Sequence, residues 1–66
     1  MNAQCRGTRM IERMTVEVFG NREKAARWLA TWNAVLEGAP SALAATRDGR
    51  RQVYEELIRI YHGDFA

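Results

Sequence analysis

The stretch that decides the fold is residues 21–36, NREKAARWLATWNAVL. Its apolar residues recur at the three-, four- and seven-residue offsets of an α-helix, and the recurring set is Ala25, Trp28, Leu29, Trp32 and Leu36. Residues at these offsets share one side of a helix, whereas the charged residues Arg22, Lys24 and Arg27 lie off that side. We therefore expect an amphipathic helix whose apolar side, with both indoles, belongs to the core.

Turn residues flank this helix on both sides. Gly20 is suited to the positive φ that ends a preceding helix, and Asn21 is a good cap for the helix that follows. The pattern loosens after Thr31, where Trp32-Asn33 is a candidate break, and Gly38-Ala39-Pro40 breaks it in any case, because proline lacks an amide proton and has a fixed φ. Pro40 also suits the first turn of a short helix, which we expect over residues 41–45.

A first helix is predicted before Gly20. Its apolar residues follow helical spacing, and they are Met10, Ile11, Met14 and Val18. Thr8 offers a hydroxyl cap ahead of them, and the residues before Thr8 show no periodicity. We therefore expect residues 1–8 to be a flexible lead-in, the first helix to run over about residues 9–19, and residues 9–66 to form the folded domain.

A last helix, the longest in the chain, is predicted from about Arg47 to His62, with Thr46 as its cap and Gly63 as its stop. It carries two adjacent apolar stripes. The inner stripe is Val53, Leu57 and Ile60, and the outer stripe is Tyr54, Ile58 and Tyr61. Together they span more of the helix than one neighbouring layer can cover. We assign the inner stripe to the core, and the outer stripe is either ordinary core or a contact with a partner.

These elements predict an all-α fold, a small single-domain bundle of four to five helices with a long C-terminal helix. The length of 66 residues leaves room for one core. At this size folding buries only roughly 60% of the surface that the unfolded chain exposes, so the core is thin. Apolar residues make up 47% of the chain and charged residues 27%, which is typical of a folded soluble domain rather than a disordered segment.

The composition gives little support to catalysis or to metal binding. The chain has one histidine and one cysteine, and His62 and Cys5 lie at opposite ends of the sequence. An incidental thiol is therefore a better interpretation of Cys5 than a thiol–imidazole pair. The ligand-type residues do not follow the spacing of a zinc site. We expect no enzyme activity, no cofactor and no metal.

The charge pattern gives little support to DNA binding. The net charge of +2 comes from 10 basic and 8 acidic residues interleaved along the chain, without the basic stripe that phosphate backbones require. Arg50 and Arg51 have acidic neighbours, which favours a solvated surface over a phosphate grip. Trp28 and Trp32 are able to stack on bases, but their helical spacing favours core. Direct DNA binding by this chain is therefore not expected.

The ends of the sequence carry no targeting pattern. No charged and then apolar leader opens the chain, and no apolar run is long enough to span a membrane. A single cysteine does not allow an intramolecular disulfide. We expect a cytoplasmic protein without a membrane partner.

Several motifs follow one another in the order of a known family. Val18-Phe19-Gly20-Asn21 leads into a helix that bears the pair Trp28-Leu29. The later positions that fit are Asn33, Leu36, Gly38, Pro40, Leu43, Thr46, Gly49, Val53, Leu57, Ile60, His62 and Gly63. With this order and spacing, residues 16–65 resemble the toxin-binding domain of Xre/MbcA/ParS-type antitoxins. The loop departs from the family pattern, since Trp32 stands where proline is frequent, Glu37 stands where a second glycine is common, and Gly38-Ala39-Pro40 is a residue short.

The resemblance implies a bacterial antitoxin of a type II toxin-antitoxin system. Relatives are encoded beside toxins, often of the RES type, that consume NAD or transfer its ADP-ribose, and the antitoxin domain covers the entrance of the toxin's active site. Many relatives also carry an N-terminal helix-turn-helix that binds their own promoter, and the residues before the match are too few for that module. We expect a naturally short antitoxin rather than a fragment.

The resemblance and the outer stripe together predict which residues contact the toxin. They are Tyr54, Ile58, Tyr61, His62, Asp64, Phe65 and Ala66. The family pattern gives structural roles to Phe19, Gly20, Trp28, Leu29, Gly38, Pro40, Thr46, Gly49, Val53, Leu57 and Gly63. The alternatives are a small helical DNA-binding regulator of its own operon and a structural subunit that forms a homo-oligomer through the last helix. A homo-oligomer or a larger toxin-antitoxin assembly is also compatible with the leading interpretation.

Overall fold

Four α-helices make up the part of the chain that the structure, a computed structural model, describes: residues 3–63, with side chains from residue 7 onward. The helices are α1 (Ala3–Phe19), α2 (Arg22–Ala30), α3 (Pro40–Leu43) and α4 (Arg47–Tyr61). Within residues 3–63 there is no strand, and a single isolated bridge joins Asn33 and Gly38. The predicted all-α bundle of four to five helices is confirmed.

The helix α1 begins earlier than its apolar spacing predicts. The sequence indicated a start near Arg9 with Thr8 as a cap, but α1 begins at Ala3 and contains Thr8. With 17 residues it is also longer than α4, which has 15, so the prediction that the last helix is the longest is wrong. Helical periodicity is a signal of burial, and residues 3–7 carry no large apolar side chain that would mark a buried stripe.

The predicted end of α1, start of α2, and start and stop of α4 are confirmed. Gly20 has a φ of 68° and Gly63 a φ of 63°, in the left-handed region that glycine adopts without steric cost. The Asn21 side chain accepts a hydrogen bond of 2.9 Å from the Lys24 amide, and the Thr46 hydroxyl accepts one of 3.0 Å from the Gly49 amide. Each cap satisfies an amide that the first helical turn leaves without a partner.

The short helix α3 lies slightly earlier than expected, over Pro40–Leu43 rather than residues 41–45. Pro40 occupies the first turn, where a helix needs no amide proton. The start of α4 then packs directly against the end of α3. Gly49 is buried there, and a Cβ built on it would overlap the backbone carbonyl of Leu43. Thr46 and Gly49 therefore act together, because the threonine caps α4 and the glycine lets α3 approach it.

The core lies where α1, α2 and α4 meet, and α3 packs against α2 and α4. Its buried cluster consists of Ile11, Leu29, Ala44, Val53 and Leu57, and partly buried Leu36, Leu43 and Trp28 pack against that cluster. Val53 and Leu57 have no exposed surface, and Ile60 is half-buried. The assignment of the inner stripe to the core is confirmed for the first two residues, with Ile60 at the edge.

Trp32 corrects the predicted core side of α2. The helix ends at Ala30, and Thr31 caps it with an extended backbone, so Trp32 no longer continues the helical stripe and is 65% exposed. Trp28 is half-buried rather than enclosed, and its ring centroid lies 5.8 Å from that of Phe19 in a tilted contact. The prediction that both indoles belong to the core is therefore wrong for Trp32.

The buried side of α1 also differs from its apolar spacing. Ile11 is buried as expected, but its buried neighbour one turn on is Thr15, and Met10 is 66% exposed. Thr15 is tolerated in the core because its hydroxyl donates a 2.6 Å hydrogen bond to the carbonyl of Ile11. A polar side chain that is satisfied within its own helix does not leave an unpaired group behind.

Arg50 is a second correction, because the sequence placed it on a solvated surface. Its side chain is half-buried, lies over Gly7 of α1, and donates a 3.2 Å hydrogen bond to the carbonyl of Ala44. It therefore links α1 and the end of α3 to α4. Arg51 is solvated as expected, and it forms an exposed ion pair of 3.6 Å with Glu55.

The turn between α2 and α3 is organised by Asn33. Its side-chain oxygen accepts hydrogen bonds from the amides of Val35 at 2.8 Å and Leu36 at 3.1 Å, and its backbone pairs with Gly38. The amide of Glu37 donates a 2.7 Å hydrogen bond to the Asn33 carbonyl. To close this turn, Glu37 adopts a φ of 59°. An L-residue in that conformation is strained by steric overlap of its Cβ with the backbone.

The strain at Glu37 leads to a prediction. Glu37→Gly should raise the free energy of unfolding by about 1 kcal/mol, because relief of a left-handed L-residue outweighs the extra entropy of glycine in the unfolded chain. Urea denaturation measures the change. Glu37→Gln is the control, since it removes the charge but keeps the Cβ, and it should leave stability within about 0.5 kcal/mol of the wild-type value. A less stable Glu37→Gly variant would contradict this account of the turn.

Candidate functional site

The outer stripe of α4 faces solvent. Tyr54 is 50% exposed and Tyr61 is 66% exposed, and Ile58 between them is half-buried. Beside them on α1, Met10 is 66% exposed, and Met14 is half-buried. These side chains from two helices form one apolar surface that the rest of the described chain does not cover.

Two clefts run along this surface. The first, of about 280 Å³, is lined by residues that include Met10, Met14 and Tyr54, and the second, of about 290 Å³, is lined by residues that include Met14, Ile58 and Tyr61. Met14 borders both clefts, which therefore lie next to each other along one apolar groove. We name it the α1/α4 groove, and its apolar lining is Met10, Met14, Val18, Tyr54, Ile58 and Tyr61.

The two helices run in the same direction along the groove. The first cleft joins the early residues of both helices, with Gly7 and Met10 beside Arg50 and Tyr54. The second cleft joins their late residues, with Val18 of α1 in the same lining as Tyr61 of α4. Position along the groove therefore rises with residue number on both helices.

Charge is distributed unevenly between the two ends of the groove. Arg50 and Arg51 line the first cleft, and Arg9 and Arg13 line an adjoining depression that shares Gly7 and Met10 with it. The second cleft has Glu17 in its lining. The first end is thus rich in arginine, and the second end has an acidic side chain.

The structure brings together some of the residues predicted to contact a partner. Tyr54, Ile58 and Tyr61 all line the groove. His62 follows Tyr61 at the end of α4, is exposed, and has its ring centroid 5.6 Å from that of Tyr61 in an edge-on contact. The predicted contacts at Asp64, Phe65 and Ala66 lie outside the described residues.

The sequence analysis missed the contribution of α1 to this surface. The helical pattern of α1 placed Met10, Met14 and Val18 together with Ile11. In the structure Ile11 and Thr15 are buried, whereas Met10, Met14 and Val18 line the groove, and Met14 and Val18 also pack against the buried cluster. The signal was present in the spacing, since the three groove residues recur every four positions next to Ile11. α1 therefore carries two adjacent stripes, as α4 does.

The lining of the groove determines which chemistry it supports. Thioether, aliphatic and phenol side chains bind by burial of apolar area and by the hydrogen bond of a tyrosine hydroxyl. Among residues 7–63, no three His, Cys, Asp or Glu side chains converge on a metal position. No helix within residues 3–63 is long and apolar enough to cross a membrane.

A comparison with protein families decides what kind of domain presents this groove. The family model described as the antitoxin Xre/MbcA/ParS C-terminal toxin-binding domain matches residues 14–63, more than half of the chain. The chain belongs to this antitoxin family. No curated protein and no solved structure matches it. The match begins within α1 and extends through the end of α4, so the antitoxin domain includes most of the groove.

The structure gives physical reasons for several motifs of the antitoxin domain. The Phe-Gly turn and the Trp-Leu pair are joined by the contact between Phe19 and Trp28, while Gly20 reverses the chain. Thr46 and Gly49 form the α3–α4 junction. Glu37, which the resemblance aligns with a second glycine, has the left-handed φ that favours glycine.

The two stripes of α4 predict different effects of mutation on the isolated antitoxin domain. Leu57→Ala should lower the free energy of unfolding by about 2–5 kcal/mol, because it leaves a cavity in the core. Tyr61→Ala should change it by less than about 0.5 kcal/mol, because the side chain is largely in solvent. Thermal and urea denaturation of both variants measure this difference. If Tyr61→Ala unfolds the domain as thoroughly as Leu57→Ala, the outer stripe belongs to the core.

Proposed function

We propose that this antitoxin domain neutralises its toxin without catalysis, by docking the α1/α4 groove and the residues after α4 over the entrance of the toxin's active site. The observation that carries the proposal is the uncovered apolar groove on a chain of a toxin-binding family. Its two exposed tyrosines are the kind of aromatic anchor that dominates binding energy at protein interfaces.

The position of the groove on the chain supports this use of it. The second cleft is bordered by Ile58 and Tyr61 in the last turns of α4, next to exposed His62. A toxin seated on these side chains is also within reach of residues 64–66. The proposed contact set is therefore Tyr54, Ile58, Tyr61, His62, Asp64, Phe65 and Ala66, with Met10 and Met14 of α1 added to it.

The proposed partner is a RES-type toxin that consumes NAD or transfers its ADP-ribose. This class follows from the resemblance of the motifs to antitoxins that are encoded beside such toxins. The expected setting is the bacterial cytoplasm, where substrate NAD is present. Inhibition then requires only that the docked antitoxin block access of the dinucleotide to the toxin.

The thin core gives the partner a second effect. A ligand that binds only the folded state raises its apparent stability by RT ln(1 + [L]/Kd), which is roughly 2.7 kcal/mol at a hundredfold excess over Kd. For a domain of 66 residues that is a large share of the total. Docking should therefore stabilise the antitoxin while it silences the toxin.

The charge pattern of α4 favours docking to protein over DNA binding. Arg51 pairs with Glu55 at 3.6 Å and Arg59 pairs with Glu56 at 3.3 Å, so the two signs alternate along the helix. DNA binding depends on arginine and lysine side chains that are free to replace counterions on phosphates. A homo-oligomer formed through the outer stripe would compete with toxin for the same groove.

Neutralisation predicts a separation between groove residues and other exposed aromatic residues. Co-expression of the wild-type chain with the toxin encoded by the adjacent reading frame should restore growth. Tyr61→Ala should weaken toxin binding by about 2 kcal/mol, as central aromatic anchors do. Deletion of residues 64–66 should also release toxin activity. Growth rescue and calorimetric titration of the purified proteins measure these effects.

Trp32→Ala is the matched control for this experiment. Trp32 is 65% exposed, as Tyr61 is 66% exposed, but it does not line either cleft of the groove. The Trp32→Ala variant should neutralise the toxin as well as the wild-type chain does. Full neutralisation by both Tyr61→Ala and the tail deletion, or loss of it in Trp32→Ala alone, would place the inhibitory surface elsewhere.

A further inference from the structure

We propose that the α1/α4 groove receives an amphipathic helix of the toxin, whose apolar side fills both clefts and whose acidic residues lie at the arginine-rich first end. This inference rests on the proposed function and adds to it the type of element and the charge of the segment that the antitoxin recognises. Its basis is the shape, the lining and the charge of the groove.

The shape of the groove suits a helix. Its α1 wall extends from Met10 to Val18, a length of about 12 Å at 1.5 Å per residue. That distance is about two turns of a helix, whose residues at three- and four-residue spacing enter successive depressions. The clefts on either side of Met14 provide two such depressions.

The backbone around the groove disfavours an extended segment. A bound strand gains its affinity from main-chain hydrogen bonds to an open sheet edge. The walls of this groove are the helices α1 and α4, whose backbone groups bond within each helix. Side chains are therefore what the groove offers, and a helix suits it because its own backbone groups are already bonded within the helix.

The side chains that line the groove allow it to fit apolar side chains of different shapes on the toxin helix. Met10 and Met14 lie on one wall, and methionine is flexible enough to fit irregular apolar surfaces. Tyr54 and Tyr61 on the other wall are rigid and amphipathic. An adaptable wall opposite two fixed aromatic anchors is typical of a surface that binds the apolar side of a helix.

The charge at the first end specifies the partner segment further. Arg9 and Arg13 line the depression next to the first cleft, and neither forms an ion pair with the described part of the chain. Arg51 forms an exposed ion pair with Glu55. The guanidinium of Arg50 donates to the Ala44 carbonyl. Arg9 and Arg13 therefore favour a partner with carboxylates at this end.

Charge complementarity at an interface acts mainly on the association rate. The test measures the association rate of the purified toxin, encoded by the adjacent reading frame, with the double variant Arg9→Gln/Arg13→Gln. The control is Lys24→Gln/Arg27→Gln, which makes the same change in net charge on the exposed side of α2. At low salt the groove variant should associate at least about tenfold more slowly than the wild type, with a weaker salt dependence, and the control should not.

Crosslinking identifies the segment itself. A benzophenone amino acid in place of Tyr54 should crosslink to a toxin peptide with apolar residues at three- and four-residue spacing and acidic residues beside them. Crosslinks to a toxin loop or strand, or to a second copy of this chain, would overturn the inference. Equal association rates for Arg9→Gln/Arg13→Gln and the control Lys24→Gln/Arg27→Gln would also overturn it. Failure of the wild-type chain to bind the toxin would instead overturn the proposed function, and the inference with it.

Discussion

The structure depends on how α4 is shared between the core and the surface. Val53 and Leu57 have no exposed area and pack with Ile11 of α1, Leu29 of α2 and Ala44 after α3. Burial of such side chains supplies about 1.5–3 kcal/mol each, a large contribution in a domain this small. The inner stripe faces this buried cluster, and the outer stripe lies beside α1, with which it lines the two clefts.

The groove follows from that arrangement. α1 and α4 lie side by side in the same direction, and each presents a second apolar stripe next to its buried one. A larger protein would cover these stripes with another layer, whereas this chain leaves Met10, Tyr54 and Tyr61 at least half exposed. The uncovered surface is thus a consequence of building a fold from few helices. Under the proposed function, a docked toxin would replace the missing layer.

Local signals predicted three helix boundaries, whereas Thr8, also a good cap by residue type, lies inside α1. The caps at Asn21 and Thr46 and the stop at Gly63 depend on residue type alone, so their positions were predictable. The early turns of α1 were not, because they carry no buried stripe. Trp32 was misplaced because α2 ends just before it, and Thr15 was missed because its burial depends on a hydrogen bond to Ile11 rather than on hydrophobicity.

The candidate site was predictable on α4 only. The excess of apolar residues there pointed to Tyr54, Ile58 and Tyr61, but the other wall of the groove comes from α1, and sequence spacing does not reveal which helices are neighbours. The same holds for Arg50, whose bond to the Ala44 carbonyl depends on the close α3–α4 junction at Gly49. Tertiary contacts, rather than local propensity, complete the surface.

The central claim is that toxin docks on the α1/α4 groove, and methyl NMR of the chain tests it most directly. Met10 and Met14 have ε-methyl groups in the groove, whereas Val35 is 63% exposed in the turn before α3 and does not line the groove. Addition of the purified cognate toxin should shift and broaden both methionine signals and leave the Val35 methyl signals unchanged. Shifts at Val35 with unchanged methionine signals would contradict the account.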